Sequence, residues 1–385
     1  MIRANEVKQN PMYLFLIVLS ISCTAGLQTW RTLFNNFAVE VANLDGYHIG
    51  IIQSAREIPG FLAILVVFLL MLIKEYRLSA FSIITLGIGM AATGLFPSFL
   101  GLFVTTLIGS LGFHFFETTS RSLTLQYFDK SISPWVFGKI RSYSAASNIG
   151  VGILIYLMSK FFNFTMIYIL IGGAVIAVGA WSYFQNPADK SVAPQHNKMI
   201  FKRKYWLYYS LTFMDGARRQ IFMVFAAFLM VKKLHFTVQD ITMLFVLNNV
   251  ISFFISPLAG KAIIRFGEKK MLMIQYFCLI FIFMAYAVLE SRVLLTLLYI
   301  LNQLSFSFNI AIQSYFQKIS DPKDIAPSMA VGTTINHIAA VVLPTIGGLL
   351  WMVDYRIPFL IGSGLSAITL ILTLQMRVPV QKQNT

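Results

Sequence analysis

Residues 31–38, RTLFNNFA, return 188 positions later as RQIFMVFA at residues 219–226. The two stretches share an arginine, two phenylalanines and an alanine in register. The same offset places YFDK at 127–130 over YFQK at 315–318. Matches at one offset in separate parts of the chain indicate an internal duplication.

The duplication predicts how the chain is organised. Asn148 lies over Asn336 at the same offset, so the repeat extends through much of each half. The longest polar stretch, 185–204, separates the two copies and contains two prolines. We therefore expect an N-terminal half at 1–184, a linker at 185–204 and a C-terminal half at 205–385.

The composition decides the class of protein. The chain is 57% hydrophobic and 12% charged, whereas soluble domains contain about 45–50% apolar and about 25% charged residues. Apolar segments such as 61–73, FLAILVVFLLMLI, recur along the whole length. Each is near the ~20 residues that a helix needs to cross a bilayer. The sequence therefore predicts an all-α membrane protein.

We predict twelve transmembrane helices, arranged as two pseudo-symmetric six-helix bundles. The spans, numbered one to twelve in chain order, are expected at 12–38, 47–73, 78–96, 99–128, 142–160, 165–184, 205–231, 240–263, 271–289, 293–317, 328–350 and 357–376. The first span has no small-residue cleavage site after it, so we expect it to be retained rather than removed as a signal peptide.

The positive charges predict the orientation. With the N-terminus inside, 20 of the 30 lysines and arginines fall in cytoplasmic segments and five fall outside. This asymmetry follows the positive-inside rule. We expect both termini and the linker to be cytoplasmic, in the plasma (inner) membrane. The net charge of +15 is then a topology signal, and no nucleic-acid partner is expected.

The loop between spans eight and nine carries a family resemblance. Residues 260–270, GKAIIRFGEKK, resemble the glycine- and arginine-containing loop motif of the major facilitator superfamily. The loop departs from that motif at Ile264, where the family usually has aspartate, and the first-half loop at 74–77 has lost it. The resemblance implies a secondary transporter in which spans one, four, seven and ten line a central path, with the substrate near the midplane between the halves.

Eight charged side chains lie inside the predicted spans and away from the span ends. Each costs about 2.5–3.5 kcal/mol at a helix centre facing lipid. Together they must face one another or a wet cavity. They are Arg31, Arg56, Glu57, Glu117, Arg121, Asp215, Arg218 and Arg219.

Helical spacing groups several of these residues. His114, Glu117 and Arg121 are three and four residues apart and share one face of span four. At the offset of 188 their counterparts on span ten are Asn302, Ser305 and Asn309, followed by Gln313. On span seven, Asp215 precedes Arg218 and Arg219 by three and four residues, so it can pair with either.

These patterns predict two sets of functional residues. The candidate substrate contacts are Arg31, Arg121, Arg218, Arg219, Gln28, Asn309, Gln313, Asn148 and Asn336. The candidate proton-coupling residues are Glu117, Asp215 and His114. A structural alternative applies to each pair, since Glu117–Arg121 and Asp215 with its arginines could simply hold helices in register. Arg56 and Glu57 fit a gate or a packing role better.

Other chemistries lack their motifs. The sequence contains no Walker-type phosphate loop, no H-E-x-x-H and no nucleophile elbow in a plausible setting. The two cysteines, Cys23 and Cys278, lie in separate spans without metal-ligand spacing. We therefore expect no enzyme activity, no cofactor and no metal.

The charges inside the spans predict the substrate class. The eight residues comprise five arginines and three acids, so positive charge is in excess. Arginine binds carboxylate and phosphate through two parallel hydrogen bonds. We expect a monomer that moves a small, anionic organic solute by alternating access, with protons as the coupling ion. Two alternatives stay open: an exporter of amphipathic compounds whose arginines are structural, and a non-transporting sensor or assembly protein on the same fold.

Overall fold

The computed structural model describes residues 4–189, 192–196, 198–236 and 238–377. Over these residues the chain is helical and contains no β-strand. The predicted all-α membrane class is confirmed.

The first half begins with the short helix Ala4–Gln9 and continues with six spans. Span two is assembled from four short helices. In chain order the spans are Pro11–Glu40; Gly46–Ala55 with Ile58–Phe61, Leu62–Leu65 and Val66–Leu69; Glu75–Thr93; Phe99–Tyr127; Ser133–Met158; and Phe164–Phe184.

The second half follows the 3₁₀ turn Arg203–Tyr205, and a second 3₁₀ turn, Pro322–Asp324, precedes span eleven. In chain order spans seven to twelve are Trp206–Ile221 with Phe222–Ala226 and Ala227–Lys232; Val238–Phe266; Glu268–Val288; Arg292–Phe306 with Ser307–Asn309 and Ile310–Ile319; Ile325–Val353; and Arg356–Leu374.

Nine helical segments of the described chain are long and apolar enough to cross a membrane. Spans five, seven and eleven also lie on helices but are outside these nine. All twelve predicted spans therefore coincide with helices, whereas twelve membrane crossings stay a prediction.

Side-chain caps begin several spans. Asn10 accepts from the Met12 N–H before span one, where Pro11 stands at a position that needs no donor. Ser98 accepts from the Gly101 N–H before span four, and Asn163 accepts from the Met166 N–H before span six. These bonds satisfy N–H groups that have no partner within the helix.

Three spans depart from a continuous α-helix. Span seven contains a π-helical turn at Phe222–Ala226, directly after its charged segment. Span ten contains a 3₁₀ turn at Ser307–Asn309, and span two contains one at Leu62–Leu65. Such turns inside long helices often mark functional positions, because they re-aim the side chains beyond them.

The chain forms two compact units, and each takes residues from both predicted halves. The first unit comprises Met1–Phe128, Tyr143–Ile200 and Ala326–Thr334. The second unit comprises Asp129–Ser142, Phe201–Ile325 and Ile335–Thr385. The division at 184 and 205 describes the sequence repeat and stays a prediction.

Glycines allow close helix packing in the first unit. A Cβ on Gly89 of span three would lie 2.3 Å from the backbone nitrogen of Gly109 on span four. A Cβ on Gly112 would lie 2.4 Å from the backbone nitrogen of Leu86. Small residues at such contacts let two backbones approach, which drives helix association in lipid.

Each unit also packs closely against the segment that it takes from the other predicted half. These segments are Ala326–Thr334 in the first unit and Asp129–Ser142 in the second. In the second unit the Ser142 hydroxyl donates to the Phe253 carbonyl at 2.6 Å, and a Cβ on Gly138 would lie 2.4 Å from the Ser256 carbonyl oxygen. In the first unit Ala330 belongs to an apolar cluster with Val66. These contacts are part of the core of each unit.

Candidate functional site

Span four presents three polar side chains in mutual contact in the first unit. A guanidinium nitrogen of Arg121 lies 2.6 Å from the Glu117 carboxylate. Nδ1 of His114 lies 3.7 Å from the other carboxylate oxygen. The side chains are 3% exposed at His114, 20% at Glu117 and 32% at Arg121. The three residues that the spacing places on one helical face are thus in contact. Their exposure increases from His114 to Arg121.

Span one adds two predicted residues to the same unit. Arg31 is exposed, and Gln28 is half-buried and donates to the Thr32 hydroxyl at 3.2 Å. The buried Cys23 thiol interacts electrostatically with both Arg31 and Glu117. Arg31 and the span-four cluster therefore belong to one polar neighbourhood.

Arg56 and Glu57 pair with each other where span two is broken. Their side chains meet at 2.8 Å and are about equally half-buried. The Arg56 guanidinium lies over the Trp30 ring, 5.3 Å from its centroid, and the Arg56 carbonyl accepts from Ser110. The pair therefore contacts spans one and four, and its packing or gating role stays a prediction.

Span seven carries the charged cluster of the second unit. Asp215 accepts from a guanidinium nitrogen of Arg218 at 2.9 Å. Arg218 is fully buried, and its guanidinium lies over the Tyr276 ring, 4.7 Å from the centroid. Of the two arginines that the spacing allowed, Asp215 therefore pairs with Arg218.

An amide chain links the Asp215 carboxylate to two further spans. Asn309 donates to Asp215 at 2.6 Å, and Gln275 donates to the Asn309 carbonyl oxygen at 2.6 Å. Asn309 ends the 3₁₀ turn of span ten, so the turn directs its side chain at span seven. Gln275 was missed by the sequence reasoning, although a glutamine in the otherwise apolar span nine was a usable signal.

Arg219 meets Asn336 instead of an acid. A guanidinium nitrogen donates to the Asn336 side-chain oxygen at 2.8 Å, and the Asn336 amide donates to the Thr212 carbonyl at 3.1 Å. Arg219 is half-buried, and its Nε–H is shielded from solvent and donates no hydrogen bond. At the offset of 188 this pair is the counterpart of Arg31 and Asn148, which both lie in the first unit.

The other predicted residues are less closely connected to these clusters. Gln313 is half-buried, and its side-chain oxygen is shielded from solvent without a hydrogen bond. Asn148 is half-buried. Asn302, the counterpart of His114, is fully buried and both of its amide atoms are without a hydrogen bond.

The arginines inside the spans differ in what neutralises them. Arg121 pairs with Glu117 and Arg218 with Asp215, and Arg56 pairs with its neighbour. Arg219 is held by the neutral amide of Asn336 and forms no ion pair with any described residue. A half-buried guanidinium without a carboxylate is suited to receive an anionic group.

The sequence model of the Major Facilitator Superfamily matches residues 208–385, which is nearly the whole predicted C-terminal half. No curated protein matches the chain significantly. The resemblance to this superfamily that the loop motif and the repeat indicate is confirmed by the match over these residues.

Solved structures show the same fold over almost the full length. The human organic anion transporter MFSD10 aligns with a TM-score of 0.72 and 13% identity, covering 95% of this chain and 99% of its own. The fucose transporter FucP aligns at 0.76 and 13%, covering 95% and 98%, and its E. coli structure is described as a fucose:proton symporter. A bacterial homologue of the iron transporter ferroportin aligns at 0.76 and 14%, covering 94% and 98%.

Proposed function

We propose that the protein is a secondary transporter that moves a small, anionic organic solute by alternating access, coupled to protons. The observation that carries the substrate class is Arg219. Its guanidinium is half-buried, is oriented by Asn336 and lacks an acidic partner among the described residues. Anion recognition by MFSD10 and proton coupling by FucP, as their descriptions state, are compatible with this proposal.

In the proposed mechanism Arg219 and Asn336 bind the anionic group together. The hydrogen bond that Arg219 donates to the Asn336 side-chain oxygen fixes one edge of the guanidinium, and we assign its remaining donors to the substrate. Arg31 and Asn148 are the repeat-related residues of the first unit, and we assign them the same role there. Gln28, Asn309 and Gln313 are the remaining polar side chains predicted for this purpose.

Arg218 takes a different role in this proposal. Because it is fully buried and paired with Asp215, it orients the carboxylate rather than contacting the solute. Asp215 in turn holds Asn309, so the pair supports the irregular turn of span ten. We therefore separate Arg218 from the substrate contacts predicted from the sequence.

Glu117 is the proposed proton carrier. Its carboxylate is 20% exposed and contacts Arg121 on one oxygen and approaches His114 on the other. A nearby cation favours the ionised carboxylate and desolvation favours the neutral acid, so a change in either shifts proton binding. Such a difference between conformations is what coupling requires.

The proposed setting is a monomer in the plasma (inner) membrane with both termini in the cytoplasm. This orientation is the one that the 20-to-five distribution of lysines and arginines favours. The linker and the loops between spans two and three and between spans eight and nine are then cytoplasmic.

The test of the substrate class is ligand binding by the purified protein. Small carboxylates and organophosphates are screened for thermal stabilisation, and the Kd of the best anion is measured for wild type, Arg219→Lys and Arg265→Lys. Loss of the two parallel hydrogen bonds should weaken binding in Arg219→Lys although the charge is kept. Arg265, exposed in the same unit, is the matched control and should bind like wild type.

Other outcomes separate the alternatives. Equal affinity of Arg219→Lys and wild type would return Arg219 to a structural role. Stabilisation by amphipathic compounds but by no anion would favour the exporter. Absence of solute movement in sealed proteoliposomes under every ion gradient would favour the non-transporting protein.

A further inference from the structure

Two carboxyl groups begin corresponding spans of the two repeats. Glu75 is the first helical residue of span three, and Glu268 is the first helical residue of span nine. Each meets the last turns of the following span, which are span four for Glu75 and span ten for Glu268. The pair therefore offers an internal comparison of one position in two electrostatic settings.

The second-unit carboxylate is neutralised by a lysine. Glu268 is 1% exposed, and the Lys318 amine lies 2.6 Å from one of its oxygens and 2.9 Å from the other. The Ser314 hydroxyl donates to the same group at 2.6 Å. Glu268 is thus held in a buried contact with a lysine.

The first-unit carboxyl has a different set of neighbours. Gln126, the counterpart of Ser314 at the offset of 188, donates to one Glu75 oxygen at 2.6 Å. The same amide donates to the Ser122 hydroxyl at 2.7 Å. The other oxygen, Oε1, is shielded from solvent and accepts no hydrogen bond. Both of these neighbours are neutral, and Glu75 forms no ion pair with any described residue.

The charged and titratable groups around Glu75 do not replace the missing cation. Tyr127 of span four interacts with Glu75 electrostatically and is itself contacted by Asp189 of the linker. Arg77, two residues after Glu75, lies over the Tyr183 ring, 5.7 Å from its centroid. Both Tyr127 and Asp189 would add negative charge if ionised, so neither stabilises an ionised Glu75.

The counterpart of the neutralising lysine is engaged inside the second unit. Lys130 matches Lys318 at the offset of 188, and its amine donates to the Lys318 carbonyl at 3.4 Å. Lys74, which precedes Glu75, is exposed. Glu75 and Glu268 are 193 positions apart and correspond as the first helical residues of spans three and nine. Of the two, only Glu268 has an ammonium partner among the described residues.

We propose that Glu75 is a proton-binding site, at which the side chain is a neutral carboxylic acid at neutral pH. A shielded carboxylate without a cation favours the neutral form. The helix N-terminus and hydrogen bonds from Gln126 and Ser122 favour the ionised form of Glu75. Glu268 likewise lies at a helix N-terminus and accepts from Ser314, and it has an ammonium partner in addition. The missing ammonium is what distinguishes the two positions.

Infrared difference spectroscopy on the full-length protein in lipid nanodiscs tests the assignment without any substrate, so its outcome is independent of the proposed transport. At pH 7, wild type minus Glu75→Gln should contain the C=O stretch of a protonated carboxylic acid. The matched variant Glu268→Gln should remove carboxylate bands and leave that C=O stretch unchanged. Loss of carboxylate bands in Glu75→Gln would overturn the proposal.

A second variant keeps Glu75 and supplies the cation instead. Gln126→Lys places an ammonium group beside the carboxyl, so the acid C=O stretch should be replaced by carboxylate bands. This arm decides the matter if Glu75→Gln does not fold. Persistence of the wild-type spectrum in a folded Gln126→Lys protein would contradict the proposal.

Discussion

The burial of the charged cluster on span seven sets how much unfolding free energy its disruption should cost. Asp215→Ala removes the carboxylate that faces Arg218, whose side chain is 1% exposed. Breaking a buried ion pair by deleting one partner costs about 3–5 kcal/mol, because the remaining charge stays buried. The substitution also deprives Asn309 of its acceptor at 2.6 Å. We therefore expect a loss of unfolding free energy of about 3–5 kcal/mol.

The span-four pair is the matched control. Glu117 and Arg121 likewise form an ion pair within one helix, with a 2.6 Å contact, but their side chains are 20% and 32% exposed. Accessible ion pairs contribute about 0–1 kcal/mol. Glu117→Ala should therefore cost far less than Asp215→Ala, although the chemistry deleted is similar.

Reversible unfolding in mixed micelles measures both free energies. The double variant Asp215→Ala with Arg218→Met should recover most of the loss, since replacing both partners removes the unpaired charge. Equal costs for Asp215→Ala and Glu117→Ala would refute the assignment of Arg218 as a buried, Asp215-dependent cation. No recovery in the double variant would refute it as well.

Three further predictions use other parts of the chain. Glu117→Gln should abolish pH-dependent accumulation in proteoliposomes and retain substrate binding; normal accumulation would move the proton site elsewhere. Gly89→Ala should destabilise the first unit by about 1–3 kcal/mol in unfolding experiments, whereas Gly173→Ala, with open space at its Cβ, should not. In a cysteine-free background, cysteine at Lys270 should be labelled only from the cytoplasm and cysteine at Lys232 only from outside; labelling of both from one side would contradict the topology.

The positions of the helices were largely predictable. Apolar length, polar loops and capping residues such as Ser98 and Asn163 mark the span boundaries in the sequence itself. The π-helical turn at Phe222–Ala226 and the 3₁₀ turn at Ser307–Asn309 were not predicted. No proline or glycine lies in either turn, and their geometry depends on packing against neighbouring spans.

The sequence also predicts which residues of one helix can come into contact. Helical spacing alone brings Glu117 and Arg121 together, and the structure places them in contact. Spacing could not choose between Arg218 and Arg219 as partners of Asp215, because both lie one turn away. Tertiary packing decides that choice, since Tyr276 covers Arg218 and Asn336 holds Arg219.

The repeat predicts tertiary contacts better than composition does. Arg219 and Asn336 were singled out because each has a counterpart at the offset of 188, and they form a hydrogen bond across 117 residues of chain. Nothing in the apolar pattern indicated this. This contact joins two positions that the repeat marks.

The two repeats share a backbone plan but differ in charge. His114, Glu117 and Arg121 of the first unit correspond to uncharged residues of span ten, among them Asn309. The second unit has its charges on span seven, where one arginine is neutralised and Arg219 is not. The first unit thus pairs Arg121 with Glu117, whereas the second unit leaves Arg219 without an acidic partner among the described residues. A duplicated bundle can diverge this way because each polar group needs only a partner within its own unit to be tolerated in the membrane.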